Sequence, residues 1–259
     1  MINVFGDNRQ IGPPGPAGPR GATGEEANTF YFSKQYARMF HQNCQFSCYF
    51  ETPKSGMVFD EKGRVIGIKN QIGKNNANIV TAHGQIVYIP DYGYGLEMTD
   101  SIYRIRSLDW AFSENSSTII CFAFKVDSMP KMEYLFYSGN SRGIYLKGRN
   151  LVIQGSKRPQ FHTLVPLLVG SWNICFVEYN NCSMESRYRI NNYEGTFVTE
   201  SAEFNTQLFI GGKKGLFFNG VLARFDFCTT LQRGGEKITH FPESVKKSII
   251  KEYYDINKV

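Results

Sequence analysis

No stretch of this 259-residue chain holds the roughly 18 consecutive apolar residues that a bilayer-spanning helix needs, so neither a spanning segment nor a helical anchor is expected. The opening residues, MINVFGDNRQIG, lack the basic region followed by an apolar stretch that marks an export signal, and synthesis in the cytosol is the expectation. Histidine is scarce: His41, His83, His162 and His240 are scattered, and no Gly-x-Ser-x-Gly elbow accompanies them, which argues against a nucleophilic triad. The net charge of +6 is spread along the chain and gathers in no basic run, so a nucleic-acid groove is not expected. Gly211-Gly212-Lys213-Lys214-Gly215 leads into a strand pattern and lacks the helix whose N-terminus would hold a phosphate. The long Ala/Leu/Glu/Lys blocks that build helices are missing as well, and with 21 Phe, 15 Tyr and 2 Trp the usage is that of a β protein.

Residues 12 to 26 read GPPGPAGPRGATGEE, with Gly12, Gly15, Gly18, Gly21 and Gly24 in every third place. Three polyproline-type strands wound about one axis leave no room there for a β-carbon, which is why this spacing predicts a collagen-like triple helix and a homotrimer. Pro13, Pro14, Pro16 and Pro19 pre-set the backbone φ. The phase breaks at Arg9 and at Ala27, leaving a rod on the order of 45 Å at ~3.1 Å per residue. The plainer alternative is a flexible Pro/Gly linker.

Behind that arm, residues 28 to 77 read as a connecting region. Phe32, Tyr36, Met39 and Phe40 fall at helical spacing, and Asp60-Glu61-Lys62-Gly63 separates two short apolar runs as a hairpin turn would. From residue 78 to 259 the chain is a succession of short strands with turn signals between them: 85–90, 118–126, 133–138, 143–148, 150–155, 171–180, 185–191, 195–200, 207–212 and 219–228. One amphipathic helix closes the chain, with Pro242 in its first turn and Val245, Ile249, Tyr253 and Ile256 on one face. The pattern is that of an antiparallel β-sandwich. Of the six cysteines, Cys121, Cys175 and Cys228 sit among apolar residues and read as small hydrophobes. Cys44 and Cys48 lie four apart and suit a bridge under oxidising conditions; for zinc they lack a second Cys/His pair, since only His41 precedes them.

The stretches QLFIGGKKGLFFNGVLARFDFCTTL, SWNICFVEYNNCSMESRYRINNYEGTF and QIVYIPDYGYGLEMTD resemble the concanavalin A-like jelly-roll family in its laminin-G or pentraxin-like form. The most specific piece is the order strand, Gly211-Gly212, loop, Phe218-Asn219-Gly220, strand, Asp226. The resemblance implies two packed antiparallel sheets, one concave, with ligands held by loops at the sheet edges and, in some relatives, calcium at the rim. Where relatives often carry Gly in the turn after the tyrosine-bearing strand, this chain has Asn191-Asn192. Asp91, Glu97 and Asp100 are the best-clustered carboxylates for calcium, against the alternative of a solvated acidic loop. Related sandwiches include glycosidases, but a retaining hydrolase needs two carboxyl groups about 5 Å apart. No Glu-x-Asp-x-Glu occurs, and the pairs Glu97/Asp100 and Glu200/Glu203 are three apart, facing opposite ways on a strand.

The expectation is therefore a binding protein and not an enzyme. Tyr92 and Tyr94, alternating with glycines on a mobile loop, together with Arg142, Lys157 and Arg158 on other loops, are the candidate ligand contacts. Three short arms and three heads point to a trimeric attachment protein for a cell-surface glycan or protein receptor, plausible as a virion fibre or spike, because weak contacts add through avidity. A secreted matrix or innate-defence lectin and a glycan hydrolase are the alternatives.

Overall fold

The computed structural model describes residues 44–50, 56–63, 65–71, 77–81, 85–89, 93–105, 117–138, 142–180, 183, 185–200, 207–213 and 215–229. Nineteen strands run through them: β1 Cys44–Tyr49, β2 Met57–Phe59, β3 Val65–Ile68, β4 Ala77–Thr81, β5 Gln85–Ile89, β6 Gly93–Met98, β7 Ile102–Ile105, β8 Ser117–Lys125, β9 Glu133–Ser138 and β10 Arg142–Lys147. They continue with β11 Asn150–Gln154, β12 His162–Pro166, β13 Trp172–Asn180, β14 Glu185–Ile190, β15 Tyr193–Val198, β16 Leu208–Ile210, β17 Gly212–Lys213, β18 Leu216–Phe217 and β19 Gly220–Thr229. The helical content among the described residues is one 3₁₀ turn, Pro159–Phe161. The collagen-like triplets, the helix read at 30–42 and the closing helix lie outside the described residues.

The strands form two sheets packed face to face, the antiparallel jelly-roll sandwich that the sequence predicts. Sheet A runs β15-β14-β13-β8-β19-β6-β5, with β1 also paired to β19. Sheet B runs β12-β11-β10-β9-β16-β7-β4-β3-β2, with the small β17–β18 ribbon at β9. Every pairing is antiparallel except β18 with β9. β1, β2 and β3, from the stretch read in the sequence as a connecting region, pair within these sheets.

Turn chemistry sets the register. At Asp60–Gly63 the side chain of Asp60 accepts from the Lys62 amide at 2.9 Å, and Gly63, at φ 76, donates back to the Asp60 carbonyl. Asn191 takes the left-handed conformation (φ 52) in the two-residue β14–β15 hairpin, a place where Asn substitutes for Gly. Its Oδ1 accepts from the Ile174 amide at 2.9 Å, tying the turn to β13. Gly211, at φ 85, is required on two counts, since a β-carbon there would stand 1.9 Å from Met98 Cε and 2.6 Å from the Ser101 carbonyl.

The core fills the space between the sheets. Phe46, Phe122, Val177, Phe225 and Phe227 come from sheet A, and Tyr103, Phe136, Ile144, Leu151 and Ile153 from sheet B. Phe136 stacks on Phe225 across the gap with centroids 6.1 Å apart. Truncating either ring to Ala costs about 3–5 kcal/mol. The run STIICFAFK does not alternate, and β8 is buried on both faces. Its neighbour β19 likewise carries a fully buried ion pair, Arg224 Nε to Asp226 Oδ2 at 2.5 Å, on the face opposite Phe225 and Phe227. Cys48, Cys121, Cys175 and Cys228 are buried. Burial, and then the neighbouring Cys121, push the Cys175 thiol well up. Cys44 and Cys48 lie along one extended strand, about 13 Å apart at the strand's rise. That is beyond the reach of a disulfide, so the bridge between them is ruled out.

Candidate binding face

Cross-strand partners lie on one face of a sheet. In sheet B the register carries one row across nine strands: His162 opposite Gln154, Gln154 opposite Gly143, Gly143 opposite Tyr137, then Phe209, Arg104, Asn78, Gly67 and Val58. Residues to either side of this row, such as Phe136, Ile144, Ile153, Leu208 and Tyr103, enter the core. The row is thus the outer face of sheet B; its two rings lie between Gln154 with His162 on one side and Arg104 with Asn78 on the other, beyond which it runs out at Gly67 and Val58.

Tyr137 and Phe209 are the central rings, half-buried and 6.4 Å apart. Lys213, from β17, places its Nζ 4.4 Å from the Tyr137 ring centroid and 5.4 Å from that of Tyr134. Under them lies a second apolar cluster, Tyr134, Tyr145 and Val152, against which Met132, Tyr137 and Leu216 pack. Burial, reinforced by Tyr145 and Tyr137, pushes the Tyr134 hydroxyl up to about 12. The Tyr145 hydroxyl is likewise pushed up by burial. Gly143 is covered on this face by its neighbours: a β-carbon there would meet Gln154 Oε1 at 3.0 Å and Tyr134 Cε1 at 3.1 Å.

At one end of the row His162 is pinned from two sides. Its Nε2 lies 3.2 Å from the Ser156 carbonyl, which can only accept, so Nε2 carries the proton and Nδ1 accepts from the Tyr145 hydroxyl at 3.2 Å. Gln154 is 8% exposed, and its Oε1 has no hydrogen-bond partner among the described residues. On the other side of the rings Arg104 Nε is buried, also without a partner among the described residues, beside the exposed Asn78. An unmade hydrogen bond at a buried group carries a penalty of about 1–3 kcal/mol, which a ligand supplying the missing partner removes.

The residues singled out from the sequence fall elsewhere and in different settings. Tyr94 lies on strand β6, next to the edge strand β5 of sheet A, not on a loop; it packs against the core and meets the exposed ring of Tyr88 edge-on at 5.4 Å. Tyr92 and Asp91 lie outside the described residues. Arg142 sits in the interior at 2% exposure, not on a loop. Its Nη1 donates to the Gly155 carbonyl and Nη2 to the Glu200 carbonyl at 2.5 Å, while the guanidinium lies 5.5 Å from the Tyr179 ring centroid. Burial pulls its pKa down, against the opposing pull of Tyr179 and Glu200.

Lys157 and Arg158 are exposed on the β11–β12 connection, and Arg158 Nη1 pairs with Glu200 Oε1 at 3.2 Å. Ser156 donates to the other oxygen of that carboxylate. Arg142 and Arg158 therefore meet around residue 200, which joins two edges of the sandwich. Glu97 stands in mid-strand on β6 opposite Val221 and Gln85, and Asp100 in the turn that follows. Among the described residues no three His, Cys, Asp or Glu side chains gather to hold a metal ion. No helix there is long and apolar enough to cross a membrane.

Sequence reasoning passed over Tyr137, Phe209, Arg104, Asn78 and Gln154. A local trace exists for one, since Phe209 stands as a ring between the inward Leu208 and Ile210. Nothing local brings Arg104 beside Phe209, because that neighbourhood is made by the β7–β16 register.

No protein-family model matches the sequence, and no curated protein does. Solved structures match it in fold. The chain is similar to a receptor binding domain, with TM-score 0.52 and 10% identity over 86% of this chain and 53% of that one. It is similar to the binding domain of botulinum neurotoxin DC in complex with SialylT (TM-score 0.51, 12% identity, 83% of this chain and 52% of that). It is also similar to the same neurotoxin's binding domain in complex with rat synaptotagmin II (TM-score 0.50, 12% identity, 82% and 52%). The chain spans about half the length of these solved chains, and at such identities the likeness is one of fold.

Proposed function

We propose that this chain is a non-enzymatic attachment protein whose sandwich offers the outer face of sheet B to a cell-surface glycan or glycosylated receptor. The observation that carries this reading is the single row in which Tyr137 and Phe209 lie between Arg104 with Asn78 on one side and Gln154 with His162 on the other. A pyranose ring presents an apolar face of C–H groups edged by hydroxyls. Aromatic rings flanked by planar amide, guanidinium and imidazole groups match that pattern. Arg104 and Lys213 favour a sugar that carries an acid. The similar neurotoxin domain solved with SialylT supports a glycan partner for a sandwich of this kind.

The Gly-X-Y arm at residues 12 to 26 gathers three copies, so that three weak contacts act together.

The test is a glycan array and a cell-binding assay on the full chain, with and without calcium, comparing wild type with Tyr137→Ala/Phe209→Ala. Each ring contributes on the order of 1–3 kcal/mol, so the double variant should lose at least about tenfold in affinity while its melting profile stays that of a folded sandwich. Unchanged binding by a folded double variant would remove this face from consideration. Single copies in sedimentation of the full chain would remove the trimer.

A further inference from the structure

At one end of the sandwich three connections are locked together by their backbones. The Gly148 amide of the β10–β11 turn donates to the Pro130 carbonyl of the β8–β9 connection at 2.8 Å. From the β12–β13 connection, the Leu167 amide donates to the Arg149 carbonyl at 2.9 Å and Gly170, at φ 77, to the Val126 carbonyl at 2.8 Å. Asn173 closes the last loop from below, accepting from the Leu168 amide and donating to its carbonyl. Pro130 and Leu167 point inward and are buried. Met129, Leu168 and Val169 stand outward at 57%, 42% and 38% exposure. Large apolar side chains at a surface are ordinary when single, but three held on one interlocked end by hydrogen-bonded backbone form a patch.

The charge around this patch is mainly positive, with Asp127 and, at the start of β9, Glu133 as its carboxylates. Lys131, Lys147 and Arg149 are exposed in the same three connections. Asp127 is paired to Lys125 at 3.0 Å. Aliphatic tips inside a mainly cationic collar fit one class of surface, in which apolar chains lie beneath a layer of phosphates. A protein partner fits poorly, because lysine is depleted and aromatic anchors are enriched in protein interfaces, and here lysine is present and the tips are aliphatic.

We infer that this loop end docks peripherally on an anionic lipid bilayer, with Met129, Leu168 and Val169 entering the headgroup layer and Lys131, Lys147 and Arg149 meeting lipid phosphates. The inference is independent of the glycan face, which lies on the side of sheet B, and the test needs no glycan.

The full chain is mixed with vesicles of phosphatidylcholine alone and with about 30% phosphatidylserine, a content that gives an attractive surface potential, and co-flotation is measured against salt. Binding is expected with phosphatidylserine and should weaken as salt rises. Met129→Ser/Leu168→Ser should lower the partition constant about tenfold or more, and each of Lys131→Ala, Lys147→Ala and Arg149→Ala about fivefold. These positions are exposed, so the melting temperature of each variant should match wild type. Three results overturn the inference: no flotation with anionic vesicles, equal flotation with both vesicle types, or folded serine variants that float like wild type. Loss of binding to a protein receptor in the same variants, with vesicles never bound, would assign the patch to a protein and also overturn it.

Discussion

Replacing Arg142 with Met separates a structural arginine from a ligand-binding one. The guanidinium is buried and donates to the carbonyls of Gly155 and Glu200, with Tyr179 beneath it. Charge-assisted hydrogen bonds of this kind contribute about 1.5–3 kcal/mol each, and a desolvated cation–π contact about 2 kcal/mol. Against this stands the several kcal/mol of desolvation that burying a cation costs and that Met, which keeps most of the stem's volume, does not incur. The balance is a loss of about 2–4 kcal/mol. For a domain near two hundred residues each kcal/mol moves the melting midpoint by about 2–4 °C, so Arg142→Met should melt about 5–15 °C lower. Urea denaturation and thermal melting, read by tyrosine fluorescence and far-ultraviolet dichroism, measure it. Glycan binding well below the new midpoint should persist at wild-type affinity. A variant with unchanged stability that no longer binds would refute the argument and return Arg142 to the ligand site.

The remaining predictions concern buried charge and alkaline pH. Arg224→Met and Asp226→Leu should each destabilise by about 3–5 kcal/mol because each leaves the other charge buried, whereas the double variant should cost less than either single one; additive losses in urea melts would show the pair uncoupled. The Tyr134 hydroxyl titrates near 12 in the fold against 10.0 in the unfolded chain, so the folded state holds the proton more tightly between those values. Stability from this group is complete below about pH 10 and is lost as pH rises toward 12, by up to about 1.4 kcal/mol per unit. Urea midpoints measured from pH 9 to 11.5 should fall with pH, and Tyr134→Phe should make that fall shallower, the buried Tyr145 still contributing; equal slopes in both proteins would contradict the assignment.

Much of the fold is legible in the sequence because strand and turn signals are local. The strands read at 133–138, 150–155, 171–180 and 219–228 match β9, β11, β13 and β19 to within a residue or two at each end. The Asp60–Gly63 turn stands where its residues place it. Beside β1, β4 and β7, which do not stand out as strands, two elements were misread for identifiable reasons. Gly93 and Gly95 made GYGLEM look like a loop, yet it pairs on both sides, with β5 and with β19. HTLVP is too short and too mixed in polarity to stand out, and becomes β12 only because β11 offers it an edge. Arg142, the first residue of β10, looked like a loop donor, since its side chain's direction depends on which sheet face the other strands cover.

Composition and periodicity alone determine that this chain makes short antiparallel strands, where many of them turn, and that a triplet glycine pattern precedes them, because each of these is set by the φ/ψ preferences and side-chain alternation of neighbouring residues. Only the tertiary structure decides that Val58, Asn78, Arg104, Tyr137, Gln154, His162 and Phe209 share one surface, or that Met129, Leu168 and Lys147 share one end. Those neighbourhoods are created by hydrogen-bond register between strands distant in the chain, and a shift of one residue in any ladder would turn that strand's share of the row into the core.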